Sequence, residues 1–298
     1  MLIISSFPFL TLHVLKFNIN WLINSIKNFL KFYFRATTLY NVHSPFVYEF
    51  VDFIFRNKLN EDFEKKIKIE RIALENSDHE IEVLDLGAGS KSSKISKADK
   101  VSRIAKTAVS GKLKSLWLHN ICAYFKPKYV LEMGTSLGIS AAHLAQNARK
   151  VISLEGNPAI ASQAQKVFKN LGIKNINIVT GNFDETLQQC LKKNELPDMV
   201  YLDGNHTYEA TMRYFNQLLS SKNDLEMLLI FDDIYWSKGM MQAWEEIKQH
   251  REVTLSIDIY YFGLIFFKTN TVAPKHYILV PAKWKLWHIG FTPVKHGW

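Results

Sequence analysis

Tyr129-Val-Leu-Glu132-Met-Gly134-Thr-Ser136-Leu-Gly138, running on to Val151-Ile-Ser-Leu-Glu155-Gly-Asn157, carries more information than any other part of the chain. The apolar run from Tyr129 to Met133 reads as a buried strand that ends in a glycine turn. A helix follows, with Leu137, Ala141, Leu144 and Ala145 on one face. A second strand, Val151 to Leu154, then ends in an acid. This order is the strand–turn–helix–strand unit of a nucleotide-binding α/β fold. Gly134 and Gly138 let the backbone turn tightly and approach a ligand at the helix N-terminus. Glu155 stands 21 residues past Gly134, where a carboxylate can accept hydrogen bonds from both hydroxyls of a ribose.

The turn also says what the ligand is not. A dinucleotide site uses G-x-G-x-x-G, so that a pyrophosphate can lie against the backbone. Here the pattern is G-x-x-x-G, with Glu132 two residues ahead of it. A carboxylate there repels a pyrophosphate but suits a ligand carrying ammonium and sulfonium charges. In these features the stretch resembles the first glycine motif and the acidic second loop of class I S-adenosylmethionine-dependent methyltransferases. The resemblance implies a Rossmann-like fold with S-adenosyl-L-methionine as cofactor. Glu132, Gly134, Ser136 and Gly138 would then line its amino-acid end, Glu155 its ribose, and Asn182 with Phe183 its adenine.

Beyond Glu155, strands and helices alternate. Asn157-Pro158 starts a helix whose Ile160, Ala164, Val167, Phe168 and Leu171 share a face, and Gly172 stops it. Strands are expected from Ile176 to Val179, Met199 to Leu202 and Met227 to Phe231. Two further β-rich runs, Val253 to Tyr260 and Gly263 to Lys268, are too close for a helical crossover and should pair antiparallel. The expected architecture is a seven-stranded, mostly parallel sheet with an antiparallel last strand and helices on both faces. A strand from Tyr277 to Val280 is the one feature legible in the tail, where Trp284, Trp287 and Trp298 stand among lysines.

Ligands of open α/β sheets bind beyond the carboxyl ends of the strands. Asp203 follows the fourth strand of the domain, Asp232 and Asp233 the fifth, and His206 starts a helix three residues after Asp203. Three hard oxygen ligands with room for water suit Mg²⁺, and an imidazole can take a proton near neutral pH. Asp203-Gly-Asn-His206-x-Tyr208 with Phe231-Asp-Asp233 resembles the D-G-x-H and D-D arrangement of metal-dependent small-molecule O-methyltransferases, including sugar-modifying ones. That resemblance assigns a divalent metal to Asp203, Asp232 and Asp233 and the general base to His206, with Asp203 also catalytic.

The first 114 residues are expected to form a mainly helical extension, and residues 115–298 the methyltransferase domain. Residues 20–35 read as a basic amphipathic helix that suits a domain cap, a homodimer interface or a peripheral membrane contact. His43-Ser44-Pro45 starts an aromatic helix that packs on the main domain or touches substrate, and residues 58–76 a charged, solvent-facing one. Glu82-Val-Leu-Asp85-Leu-Gly87-Ala-Gly89-Ser90 imitates a methyltransferase glycine motif. Lys91 to Lys97 after it has no apolar helical stripe, and no strand ending in an acid arrives about twenty residues on. This stretch reads instead as a strand and turn entering a mobile basic segment that folds over the site.

The net charge of +9 is uneven: residues 91–114 hold eight basic side chains against Asp99 alone. Such a block suits a solvated face, an anionic substrate, a nucleic acid or a phospholipid headgroup. The apolar first fifteen residues are too short to cross a membrane and lack the basic start of a secretory signal. Cys122 and Cys190 make no metal or disulfide pattern. Both features point to the cytoplasm.

Absent motifs narrow the acceptor. An Asn/Asp-Pro-Pro-Tyr/Phe stretch, usual for methylating base amino groups, is replaced by Asp203-Gly-Asn-His206, and no cysteine follows a proline. An oxygen on a small, anionic or glycan-like acceptor is favoured over nucleic acid. The competing readings are a metal-independent or RNA-directed methyltransferase and a non-catalytic S-adenosylmethionine-binding protein.

Overall fold

The computed structural model describes residues 19–84, 96–192, 195–221, 227–267 and 275–285. The readings made on Asp85 to Ser90, Lys91, Lys94, the first fifteen residues and Trp287 with Trp298 fall outside them.

The N-terminal region holds α1 (Ile19–Arg35), α2 (Pro45–Arg56) and α3 (Glu61–Glu75). Then β1 (Glu80–Leu84) pairs antiparallel with β2 (Ser96–Lys100), and the two form a sheet of their own. The strand leading to the second glycine motif therefore stands outside the central sheet, as the absent helix and acid after it implied. β2 was not legible in its lysines, and α4 (Val101–Thr107) follows it directly. α5 (Lys112–Phe125) follows and spans the boundary expected at 114.

The central sheet is built from β3 (Tyr129–Met133), β4 (Lys150–Glu155), β5 (Ile176–Thr180), β6 (Met199–Leu202), β7 (Leu228–Asp232), β8 (Leu255–Asp258), β9 (Phe262–Phe266) and β10 (Lys275–Ile278). Their spatial order is β10-β8-β9-β7-β6-β3-β4-β5, and β9 alone runs antiparallel to its neighbours. Seven strands match the expectation, including the antiparallel β8–β9 pair. The eighth, β10, pairs parallel with β8 and extends the sheet. The chain winds outward from β3 in one direction through β4 and β5, and in the other from β6. Between β3 and β6 the winding reverses, which opens a crevice at the carboxyl ends.

Successive residues of the central strands feed opposite cores. Val130, Val151, Tyr201 and Ile230 pack with Phe50, Trp117 and Leu118 on one face. Leu131, Leu154, Val200 and Leu229 pack with Phe215 and Trp244 on the other. Helices cover both faces: α6 (Ile139–Ala145), α7 (Pro158–Leu171), α8 (Phe183–Leu191), α9 (Tyr208–Ser221) and α10 (Lys238–Lys248) join α5. Burial on both faces explains why the strands read as unbroken apolar runs.

The extension is part of this body. Ser44 caps α2, its hydroxyl accepting from the Val47 amide, and Phe50 lies against Tyr124, Phe125 and Phe266. α3 differs from its expected solvent-facing character: Phe63, Ile67, Arg71 and Leu74 are buried. Arg71 donates to the Ser110 carbonyl and the Ser115 hydroxyl, fastening α3 to the start of α5. In α1, Phe29 and Phe32 pack on Tyr260, while Ile23, Ile26, Leu30 and Phe34 stay exposed. Asn28 donates to the Tyr235 carbonyl. No helix among the described residues is long and apolar enough to cross a membrane.

If α2 is core, Phe50→Ala lowers the unfolding free energy by about 3–5 kcal/mol. Phe34→Ala, at 70% exposure, costs at most about 0.5 kcal/mol. Urea unfolding followed by circular dichroism checks both, and equal effects contradict the shared core.

Candidate active site

The first turn is shaped by protein contacts. Gly134 has φ +103°, and a Cβ there would stand 2.4 Å from the Asp203 carbonyl oxygen. Gly138 has φ +84°, and its Cβ would meet the Phe168 ring at 2.7 Å. The space that each glycine leaves is thus taken by the neighbouring strand end or by α7, where the sequence suggested room for a ligand. Between them Ser136 adopts φ +47°.

Glu132, next to last in β3, has no exposure to solvent. Its Oε2 accepts from the Ser153 hydroxyl, and its Oε1 has no hydrogen-bond partner. Burial pushes its carboxyl up to about 8 against the opposing Ser140 and Ser153 hydroxyls, with Asp203 and Glu155 adding to the rise. The Ser136 hydroxyl is also buried without a partner. Glu155 ties two turns together: Oε2 accepts the Ser136 amide and Oε1 the Asn157 amide, each at 2.9 Å. Burial raises its pKa, and those two amides with that of Gly156 oppose the rise.

At the end of β5, Asn182 caps α8, its side chain accepting from the Asp184 amide at 2.8 Å. The next residue, Phe183, lays its ring on Gly204, where a Cβ would come within 2.4 Å of it. The residues expected around a nucleoside therefore line the ends of β3, β4 and β5 and touch the loop after β6.

Across the crevice, Asp203 and Asp232 end β6 and β7. The Asp203 amide donates to the Met133 carbonyl at 2.9 Å. Its Oδ2 accepts from the Tyr201 hydroxyl at 3.0 Å, and its Oδ1 lies 3.4 Å from His206 Nε2. Burial raises the Asp203 carboxyl, but the His206 hydrogen bond and the Lys114 charge bring it below its ordinary value. Asp232 is fully buried and is driven well above its ordinary value by burial and by Asp203 and Asp233, against the pull of Lys114. Trp236, half exposed, has its ring centre 6.4 Å from that of His206.

The residue that the sequence reading missed is Lys114. Its Nζ lies 2.5 Å from Asp232 Oδ2 and 2.8 Å from Asp233 Oδ1, on a side chain only 11% exposed. Burial works against its charge, but Asp232, Asp233 and Asp203 outweigh it and hold the ammonium firmly protonated. In sequence Lys114 is one member of the basic block at 91–114. A signal existed in the helical spacing: Lys114 is four residues before Leu118 and eight before Cys122, on the buried stripe of α5. Lys100 and Arg103 of the same block pair with Asp78 and Asp99.

Donor atoms of Asp203, His206 and Asp232 lie within 4.8 Å of one another, a spacing that can surround an ion. Asp233 instead faces Lys114, which also contacts Asp232. A dication there would meet Asp232 Oδ1, which is buried without a hydrogen-bond partner, while Oδ2 holds the ammonium. It would need the same Asp232 carboxylate at a shorter distance, beside a like charge.

Residues 131–234, about a third of the chain, match a family model described as a methyltransferase domain. A segment is 47% identical over 47 residues to protein-L-isoaspartate O-methyltransferase 1 of Syntrophobacter fumaroxidans, covering 16% of this chain and 22% of that protein. Another is 42% identical over 53 residues to the protein-L-isoaspartate O-methyltransferase of Herpetosiphon aurantiacus, covering 18% and 24%. The chain thus spans about a quarter of the length of the curated relatives it matches. Among solved structures, the SAH-bound methyltransferase of Podospora anserina aligns at 15% identity and a TM-score of 0.49, over 72% of this chain and 99% of that one. The Bacillus cereus O-methyltransferase in complex with SAH aligns at 17% and 0.48, over 72% and 93%.

The glycine geometry has a direct test. Gly134→Ala lowers stability by about 2 kcal/mol or more, from the left-handed backbone and the clash with Asp203. Gly111→Ala, with open space around its Cβ, changes it by less than about 1 kcal/mol. Thermal unfolding of the two variants measures the difference.

Proposed function

We propose that the chain, with its methyltransferase domain at residues 131–234, moves a methyl group from S-adenosyl-L-methionine to a hydroxyl oxygen of a small or glycan-like acceptor. The observation that carries this is the unpartnered Glu132 Oε1, buried beside the turn and one strand away from the Asp203–His206 pair. A buried carboxyl oxygen without a partner is costly unless a ligand supplies one. An α-ammonium group does so and fits the negative charge that Glu132 carries once it has lost its proton.

The cofactor, when bound, supplies a methyl group on a positively charged sulfur. Glu132 and the Ser136 hydroxyl would hold its amino-acid end. Glu155 uses one lone pair of each oxygen on the Ser136 and Asn157 amides and keeps others for ribose hydroxyls. Phe183, with Asn182 beside it, supplies an apolar edge for the base. His206 donates its Nε2–H to Asp203, which leaves Nδ1 to take the acceptor's hydroxyl proton. The acceptor oxygen then forms its bond to the methyl carbon as the carbon–sulfur bond breaks and the electron pair leaves on sulfur. The face of Trp236 beside His206 suits a sugar or planar acceptor ring.

A metal-dependent version of the reading would place Mg²⁺ among Asp203, His206 and Asp232, favoured by their spacing. The Lys114 ammonium weighs against it, and no step above needs the ion.

Calorimetric titration with S-adenosylhomocysteine tests the cofactor. Wild type binds at micromolar affinity, and Glu155→Ala weakens binding at least tenfold, about 1.4 kcal/mol. Absence of binding by wild type overturns the proposal. The Glu132 carboxyl, raised to about 8, holds its proton in the free protein at neutral pH and must lose it to meet an ammonium. Binding therefore releases a proton, and affinity climbs from about pH 6 to about pH 8 by up to roughly tenfold per unit. Heats measured in buffers of different ionisation enthalpy report that proton directly. Once an acceptor is found, His206→Ala lowers kcat by about 10²–10⁴ while leaving S-adenosylhomocysteine affinity unchanged.

A further inference from the structure

We propose that the Lys114 ammonium is the resident cation of the acid cluster, standing where a divalent ion would otherwise bind; its role toward an acceptor rests on the methyl-transfer reading above. Three observations converge. First, the lysine is built into the site. It lies one turn into α5, its side chain is almost wholly enclosed, and its Nζ reaches Asp232 and Asp233 at 2.5 and 2.8 Å. Arg71, bonded to Ser110 and Ser115 on either side of this turn, fixes where α5 begins.

Second, the acids require a positive charge. Asp232 is fully buried, and Asp203 and Asp233 stand beside it. Carboxylates removed from water persist only when they are paired or protonated. Among the described residues Lys114 supplies that charge from within the protein, pairing Asp232 Oδ2 and Asp233 Oδ1 and leaving Asp232 Oδ1 buried without a partner. Third, the donors of Asp203, His206 and Asp232 stay within 4.8 Å of one another. Removing the ammonium leaves an oxygen- and nitrogen-lined space of the kind that binds Mn²⁺ or Mg²⁺. Lys114 also lies outside residues 131–234, so it is a contribution of this chain's own N-terminal part to the matched domain.

The chemistry follows from the donor count. An ammonium has three N–H groups, and the contacts to Asp232 and Asp233 use two. The third can donate to an acceptor oxygen, favouring its negative charge as His206 receives the proton. An ammonium here does electrostatically what a dication does elsewhere, without exchangeable ligands.

The test uses full-length protein and Mn²⁺, followed by electron paramagnetic resonance of the free ion. Wild type leaves the signal unchanged, whereas Lys114→Ala and Lys114→Met each remove one equivalent, with affinity at least a hundredfold above wild type. Adding Asp203→Asn to either variant abolishes that binding. One equivalent bound by wild type and lost in Asp232→Asn overturns the proposal, whether or not the lysine variants fold. So does the absence of Mn²⁺ binding by lysine variants whose circular dichroism matches wild type. Calorimetry with S-adenosylhomocysteine on the same wild-type preparation, without metal, separates this result from a failure of the cofactor reading.

Discussion

The approach of Gly134 to the Asp203 carbonyl sets how near the ends of β3 and β6 can come, and the site is assembled from that distance. On one side it leads to Ser136 and, through its amide, to Glu155. On the other it leads to Gly204 under the Phe183 ring, and through Asp203 to His206 and Lys114. Among the described residues, left-handed non-glycine positions recur at this same edge: Ser136 after β3, Asn205 after β6, Asp233 after β7 and Tyr260 after β8. Each costs conformational energy that the packed sheet must hold. The loops that gather functional groups are the loops under strain.

The sheet was legible because its signals are local. A strand covered on both faces is a run of apolar residues, and an acid or glycine at its end marks the turn. Glu132, Glu155, Asp203 and Asp232 could be placed at strand ends from that pattern alone. What closes the acid cluster could not. Lys114 acquires its meaning from Asp232, 118 residues away, and in sequence it is one of eight basic residues in the block at 91–114. β2 was obscured for a similar reason, since its lysines conceal a strand whose stability comes from its neighbour, and β10 was legible only from Tyr277, because Lys275 and His276 hide its start. The buried face of α3 was masked by Ile69 and Ile72, apolar yet exposed, which blur its helical stripe.

The N-terminal helices do more than cover the sheet. α2 supplies Phe50 to the aromatic cluster around Phe266, and Arg71 of α3 braces the turn of α5 that carries Lys114. A part of the chain beyond the matched domain thereby helps to set the electrostatics at its centre. Charge and shape at the strand ends are properties of the whole packed body.

Residues 36–38 run beside the last strand: Thr37 bridges to Leu279, its amide donating to the Ile278 carbonyl and its carbonyl accepting from Val280. Phe29 and Phe32 find their partners at Tyr235, Tyr260 and Val280. During synthesis, then, α1 leaves the ribosome long before the surface it docks on exists. Its apolar side chains must wait through nearly the entire translation of the chain. Until Tyr235, Tyr260 and Val280 have been made, those side chains are open to wrong contacts.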